Sequence, residues 1–145
     1  MAALVAALAI AVALFLQRRR PDAPTQGPTA VVPVQLDRDD FAGPEAPWLV
    51  AIFTSASCET CASVKARAAV LESPEVVVQE LEARMDADLH RRYGIDAVPL
   101  LVMADTDGVV RRHFLGPVSG TDLWGALAEL REPGTLGPDC HSGAS

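Results

Sequence analysis

Apolar runs and polar, turn-forming segments alternate along most of this chain, in a pattern typical of an α/β domain. Residues 48–54 are apolar up to Thr54 and predict a buried strand. Residues 76–81, three valines and a leucine around Gln79 and Glu80, predict a second strand, and the apolar residues 100–104 predict a third. Between the first two lies an alanine-rich stretch that predicts a helix over residues 58–72, ended by Ser73-Pro74. A strand, a helix and a strand of these lengths indicate a parallel βαβ unit.

The second half of the chain predicts a hairpin and two further helices. Residues 105–108 (Asp-Thr-Asp-Gly) are a strong turn signal, so residues 109–115 should pair back antiparallel. Residues 86–93 predict a helix with a glycine just after it. Ser119 with an acid three residues later resembles a helix N-cap, and leucines follow at helical spacing.

The N-terminus carries an unbroken apolar run from Ala2 to Leu16, followed by Gln17 and the arginines of residues 18–20. A helix rises ~1.5 Å per residue, so the run falls somewhat short of a bilayer core of ~30 Å. The arginines can snorkel at one end and narrow the gap. We therefore interpret residues 1–17 as a retained single-pass transmembrane anchor.

Two other interpretations of this run stay open. A cleaved signal peptide normally has positive charge before the apolar run, and here the charge follows it. A misplaced start codon is the other. For a retained anchor, Arg18 to Arg20 favour a domain on the cytoplasmic face of a bacterial membrane, with the extracytoplasmic face as the alternative.

The remaining segments complete the predicted organisation. Residues 18–33 are polar and proline-containing and indicate a linker, residues 34–132 a globular domain, and residues 133–145 a disordered tail. Residues 31–36 predict a short edge strand that Pro33 can occupy, and residues 37–41 one helical turn.

Composition narrows the class of function. The chain has 145 residues, which suits one small domain with extensions. It has 12 basic and 19 acidic residues, a net charge of −7, and so no basic surface to attract nucleic acid. Three cysteines are too few for a disulfide-rich secreted scaffold. His90 and His113 are expected on the surface, since no acid is paired with either in the sequence.

The segment Cys58-Glu59-Thr60-Cys61 carries the candidate chemistry. Two thiols at this spacing at the start of a helix can close a small disulfide ring and reopen it by thiolate exchange. The helix N-terminus favours a thiolate at Cys58, whereas the Glu59 carboxylate should oppose it. A metal-binding pair would need two more ligands, and an inert pair is the remaining alternative.

Together these features resemble the thioredoxin-like superfamily, over roughly Trp48 to Leu130. The resemblance rests on four motifs in order: a strand leading to Cys58-x-x-Cys61, Tyr93-Gly94-Ile95 followed by Val98-Pro99, Asp107-Gly108 in a hairpin, and Gly116 before an amphipathic helix. It implies an α/β thioredoxin-like fold, a central mixed sheet with flanking helices, here preceded by one N-terminal transmembrane helix.

The resemblance also implies roles for individual residues. Cys58 would be the nucleophile and Cys61 the resolving thiol. Pro99 would follow a cis peptide bond, and Val98 would offer its backbone to an extended substrate peptide. The sequence departs from the family at Ile52, where many thioredoxins carry a buried acid, so proton transfer to the resolving thiol needs water or another group.

From these observations we expect a membrane-tethered bacterial thiol–disulfide oxidoreductase that needs no cofactor or metal. Its partners would be a protein dithiol or disulfide substrate and a second redox protein, with no nucleic acid. The alternatives are a thioredoxin-fold binding or adaptor module with an incidental dithiol, and a metal-handling protein that uses the same two cysteines.

Overall fold

The computed structural model describes residues 30–134, which form a sheet of four strands and three α-helices. The strands are β1 (Trp48–Thr54), β2 (Val76–Glu82), β3 (Leu100–Ala104) and β4 (Val110–Leu115). The helices are α1 (Cys61–Ala69), α2 (Ala87–Arg92) and α3 (Gly120–Arg131), and a 3-10 turn spans Arg38–Asp40. The predicted helices and the four main predicted strands within this range are present, with boundaries shifted by a few residues.

The sheet is mixed, and its strand order is β2-β1-β3-β4. β1 pairs parallel with β2, whereas β3 pairs antiparallel with both β1 and β4. Thr54 lies opposite Glu82, and Phe53 lies opposite Leu100. The C-terminal ends of β1 and β2 therefore meet the beginning of β3 at one edge of the sheet, which we call the site edge.

A separate apolar core lies on each face of the sheet. Side chains of α1 and α3, including Val64 and Leu123, pack on one face around Ile52. On the other face Leu36, Phe41 and the partly buried Leu89 of α2 pack around Phe53. Full burial of one such side chain contributes roughly 1.5–3 kcal/mol, so both layers are held to the sheet mainly by the hydrophobic effect.

The predicted N-terminal edge strand is reduced to an isolated bridge between Gln35 and Val109. Two backbone hydrogen bonds flank it: the Leu36 amide donates to the Gly108 carbonyl (2.8 Å), and the Val110 amide donates to the Val34 carbonyl (3.0 Å). Proline has no amide hydrogen, so Pro33 cannot extend the ladder.

Two polar side chains, those of His90 and Arg38, are buried. His90 is only 8% exposed, so the expectation of a surface histidine was wrong. Its Nε2 lies 3.0 Å from the Leu81 carbonyl oxygen, and its ring stands edge-on to Phe53. Arg38 is 7% exposed because its guanidinium donates to three backbone carbonyls, those of Gly43, Ala46 and Asp105. Backbone carbonyls thus pair the His90 ring and both terminal nitrogens of Arg38, whereas the buried Arg38 Nε makes no hydrogen bond to any described residue.

Tyr93 fastens the N-terminal segment to α2. Its hydroxyl donates to the Asp40 carboxylate and accepts from the Asp37 amide (3.0 Å). Burial, followed by the hydrogen bond to Asp40, raises the pKa of Tyr93 to about 12. The neutral phenol therefore contributes stability that is fully present below its unfolded pKa of ~10 and is lost as pH rises through the folded value.

This pKa shift is directly measurable because Tyr93 is the only tyrosine in the chain. We expect the phenolate absorbance of the native protein to rise near pH 12, and that of the unfolded protein near ~10. Tyr93→Phe should remove the signal and weaken the alkaline loss of stability between these two pH values. Titration of the native phenol at its ordinary pKa would show that the contact with Asp40 is absent in solution.

The predicted anchor 1–17 and most of the linker and tail lie outside the described residues. None of the helices within residues 30–134 has the length and apolar character that crossing a bilayer requires.

Candidate active site

The two motif cysteines are joined as a disulfide at the site edge, with their Cα atoms 5.5 Å apart. Cys58 is half-buried, whereas Cys61 is only 4% exposed. The predicted helix over residues 58–72 is shorter than expected: α1 begins at Cys61 and ends at Ala69. Cys58 instead closes a turn, in which its amide donates to the Ser55 carbonyl (3.1 Å).

Thr60 is the N-cap of α1 and a close polar neighbour of the first sulfur. Its side chain makes no capping bond, and its Oγ1 lies 3.7 Å from Cys58 Sγ. That hydroxyl can donate to the sulfur, in addition to the favourable field of the helix N-terminus. This contact was not predicted, although a threonine just before a helix is a recognisable N-cap signal in the sequence. Glu59 is exposed beside it.

The Val98–Pro99 peptide bond is cis, as the family resemblance implied. Pro99 is buried and Val98 is half-buried, and the Pro99 carbonyl accepts a hydrogen bond from the Gly116 amide (2.8 Å). Pro99 immediately precedes β3, and the cysteine turn follows β1. Because these strands are antiparallel neighbours, both features lie at the site edge.

Ile52 stands where many thioredoxins have a buried acid, and its side chain is packed in the apolar core. Ile52 is 1% exposed and belongs to the core beneath α1. A carboxylate lies one strand away instead: Glu80 is the β2 partner of Ile52. It accepts a hydrogen bond from the buried Thr54 hydroxyl (3.0 Å) and forms an ion pair with Lys65 of α1.

A second carboxylate, Glu82 at the end of β2, contacts the cysteine turn directly. It accepts hydrogen bonds from three backbone amides, those of Ala56 (3.1 Å), Arg84 (2.9 Å) and Met85 (3.2 Å). The Arg84 amide, and then those of Met85 and Ala56, hold the pKa of Glu82 below its ordinary value against the opposing effect of desolvation.

The described residues contain no group of three or more histidine, cysteine and carboxylate side chains able to hold a metal ion. Cys140 and His141, two candidates for the two further ligands of a zinc site, lie outside residues 30–134. What the described part of the site presents is a disulfide between a half-buried Cys58 and a buried Cys61.

Neither a protein-family model nor a curated protein matches this sequence. Solved structures do match, among them a point mutant of thioredoxin from Halobacterium salinarum, with a TM-score of 0.54 over 72% of this chain and 95% of that one, at 22% identity. The chain has a thioredoxin-like fold.

Two other solved structures share the thioredoxin-like fold with it. The germline-specific thioredoxin Deadhead from Drosophila melanogaster gives a TM-score of 0.52 at 20% identity, covering 60% of this chain and 84% of its own. A malarial protein gives 0.53 at 14% identity, covering 57% of this chain and 96% of its own. At these identities the likeness concerns the fold, so the site itself must carry any argument about activity.

Proposed function

We propose that this protein is a membrane-tethered thiol–disulfide oxidoreductase that acts on protein disulfides or dithiols through Cys58 and Cys61. The observation that carries the proposal is the asymmetry of the pair: the sulfurs are bonded to each other, yet Cys58 is only half-buried whereas Cys61 is 4% exposed. A purely structural disulfide has no need of an accessible sulfur beside a helix N-terminus, where a thiolate is stabilised.

The reaction in the reducing direction has two steps. The Cys58 thiolate attacks a substrate disulfide, which forms a mixed disulfide and releases one substrate thiol. The Cys61 thiolate then attacks the Cys58 sulfur, which releases the second substrate thiol and leaves the Cys58–Cys61 disulfide. Two electrons pass to the substrate, and a second redox protein restores the dithiol. The same steps in reverse oxidise a substrate dithiol.

The surroundings of Cys58 suit a protein substrate better than a small thiol. A half-buried Val98 before the cis-proline can offer its backbone to an extended peptide, as in strand addition. At the same edge, the exposed Leu115 ends β4 and the exposed Met85 follows β2 by three residues, on opposite sides of the sheet.

Trapping of the mixed disulfide tests the proposal. A Cys61→Ser variant of the full chain keeps the nucleophile but cannot resolve the intermediate, so it should accumulate reductant-sensitive adducts with other proteins in cells. The Cys58→Ser/Cys61→Ser double variant is the matched control and should accumulate none. If the single variant forms no adducts, and if glutathione titration of the wild type detects no reversible disulfide, the protein is a binding module instead.

Removal of the charge beside Cys58 is a second test of the same site. Glu59 is exposed and adjacent to Cys58, so its carboxylate should disfavour the thiolate. Glu59→Gln should therefore speed alkylation of Cys58 at neutral pH by a few-fold at most, since solvent screens an exposed charge. An unchanged or slower rate would show that the carboxylate does not tune this thiol.

The membrane tether is supported by the apolar run before Arg18, and fractionation tests it. The full chain should resist extraction from bacterial membranes at alkaline pH and keep its full mass, whereas a cleaved signal peptide would leave a shorter, soluble chain. Leu8→Asp should release it, because a charge at the centre of a span costs ~3 kcal/mol. Extraction of the wild type with peripheral proteins would contradict the tether.

The side of the membrane is a separate prediction. The positive-inside rule places residues 18–20 in the cytoplasm, so the domain should resist protease added to intact spheroplasts. It should become sensitive once the membrane is permeabilised. Digestion from outside, with a cytoplasmic marker left intact, would place the domain on the extracytoplasmic face.

A further inference from the structure

The cysteine turn, residues 55–58, follows β1 and is tied by hydrogen bonds from within and from outside. Its internal bond joins the Cys58 amide to the Ser55 carbonyl. Its external bond runs from the Ala56 amide to the Glu82 carboxylate (3.1 Å). Ala56 lies two residues before Cys58, so the path of the chain there sets where the first sulfur lies relative to α1.

We infer that Glu82 is a positioning residue for the dithiol: its carboxylate holds the turn so that Cys58 stays within bonding reach of Cys61 when both are reduced. The inference rests on the proposed function, because it assumes that the pair cycles between dithiol and disulfide. The cysteine motif alone suggests no role for Glu82, because the motif follows β1 whereas Glu82 is the last residue of β2.

The carboxylate is itself fixed on its own side, which a positioning group requires. Its second oxygen accepts from the amides of Arg84 and Met85, and the Glu82 amide donates to the Asp86 carboxylate (2.9 Å). β2 thus ends in a tight turn built around Glu82, and β2 is paired with β1 along its whole length. The side chain therefore links the cysteine turn to the paired strands of the sheet.

This link matters more in the reduced protein than in the oxidised one. In the oxidised protein the Cys58–Cys61 bond already ties the turn to α1. In the reduced protein that covalent tie is gone, which leaves the internal Cys58–Ser55 hydrogen bond and the Glu82 contact to limit the turn. Without the contact, the reduced turn should sample more conformations, so the dithiol gains conformational entropy. The disulfide then becomes easier to reduce.

The expected effect concerns the exchange equilibrium with glutathione, in which the dithiol and oxidised glutathione give the protein disulfide and two reduced glutathiones. In Glu82→Gln the amide nitrogen cannot accept, so at least one backbone donor is left unpaired. We expect the equilibrium constant to fall about ten-fold, which corresponds to a potential about 30 mV higher. Glu72→Gln, an exposed glutamate just beyond the far end of α1, is the matched control and should change nothing.

Glu82→Asp separates position from charge. It keeps the negative charge but is one methylene shorter, so it cannot reach Ala56 while it also holds Arg84 and Met85. If Glu82 acts by position, Glu82→Asp should also lower the equilibrium constant with glutathione. The expected fall is at least about five-fold, because most of one charge-assisted hydrogen bond is lost. If the aspartate variant matches the wild type while the glutamine variant does not, the charge alone acts, and the inference is wrong.

The wild-type full chain provides a test that needs no variant. Protonation of Glu82 should shift the amide NMR signals of Ala56, Arg84 and Met85 with one common midpoint, below the ordinary pKa of a glutamate. Asp86 is the other carboxylate in this turn, and Arg84 is the nearby cation. Asp86→Asn removes that second acid, so the three amide signals should still titrate together in this variant if they report Glu82. If the Ala56 signal does not follow the other two, the link to the cysteine turn does not exist in solution.

These measurements keep the inference distinct from the proposed function. If the wild type forms no reversible disulfide with glutathione, the proposed function fails, whatever the amide titration shows. If the wild type exchanges normally and both Glu82 variants have its equilibrium constant, the dithiol is functional and Glu82 does not position it.

Discussion

In the fully reduced protein, Cys58 is expected to react with an alkylating reagent at least about ten-fold faster than Cys61. Cys58 is half-buried and precedes the first turn of α1, whereas Cys61 is 4% exposed and lies within the helix. A thiolate at the first position is stabilised by the helix N-terminus and by the Thr60 hydroxyl, so both accessibility and thiolate fraction favour it. The measurement is the time course of alkylation at neutral pH, followed by mass spectrometry of the two sites.

The control for this prediction is the same reaction in denaturant, where the two rates should become similar because exposure and helix are both lost. A Cys140→Ser background removes the third thiol of the chain from the reaction. If Cys61 proves the faster thiol in the native protein, the roles of nucleophile and resolving group are reversed, and the trapping variant must be changed accordingly.

The pattern of apolar runs was sufficient to predict the strands and the parallel pairing of β1 with β2, but not the antiparallel pairing of β1 with β3 or the strand order. A strand such as β1 is buried on both faces, and its sequence shows a continuous apolar run. The turn at residues 105–108 fixed the antiparallel pairing of β3 and β4 in the same direct way. Both features can be predicted locally, because a buried strand and a tight turn each depend on the types of a few consecutive residues. The cis bond before Pro99 was expected from family resemblance and not from any local pattern.

Features that depend on distant partners were not predictable. His90 and Arg38 are buried because backbone carbonyls elsewhere in the chain accept their hydrogen bonds, and sequence alone places neither carbonyl nearby. The start of α1 was misplaced because the Ser55–Cys58 turn competes with helix for the residues of the motif. Glu82 passed unnoticed for the same reason: its contact with Ala56 spans 26 positions.

Gly108→Ala is expected to destabilise the domain by roughly 2–5 kcal/mol, the sum of a left-handed backbone cost and a steric clash. Gly108 has φ +77°, and a Cβ there would lie 2.0 Å from the Leu36 carbonyl oxygen, a backbone atom that cannot rotate away. The N-terminal segment would have to leave the β3–β4 hairpin, and with it Leu36, which is 1% exposed in the core beneath α2. Such a loss is a large part of the roughly 5–15 kcal/mol that typically stabilises a domain.

Gly94→Ala is the matched control for this loss. Gly94 has φ +65°, but a Cβ there would meet nothing within 4 Å, so only the backbone cost of about 1 kcal/mol should remain. Denaturant unfolding of both variants gives the two free energies, and the difference between them isolates the contact with Leu36. Equal losses in the two variants would mean that the N-terminal segment yields freely at Gly108. In that case the segment from Gln35 to Leu36 would contribute little to the stability of the α2 core, in spite of its burial.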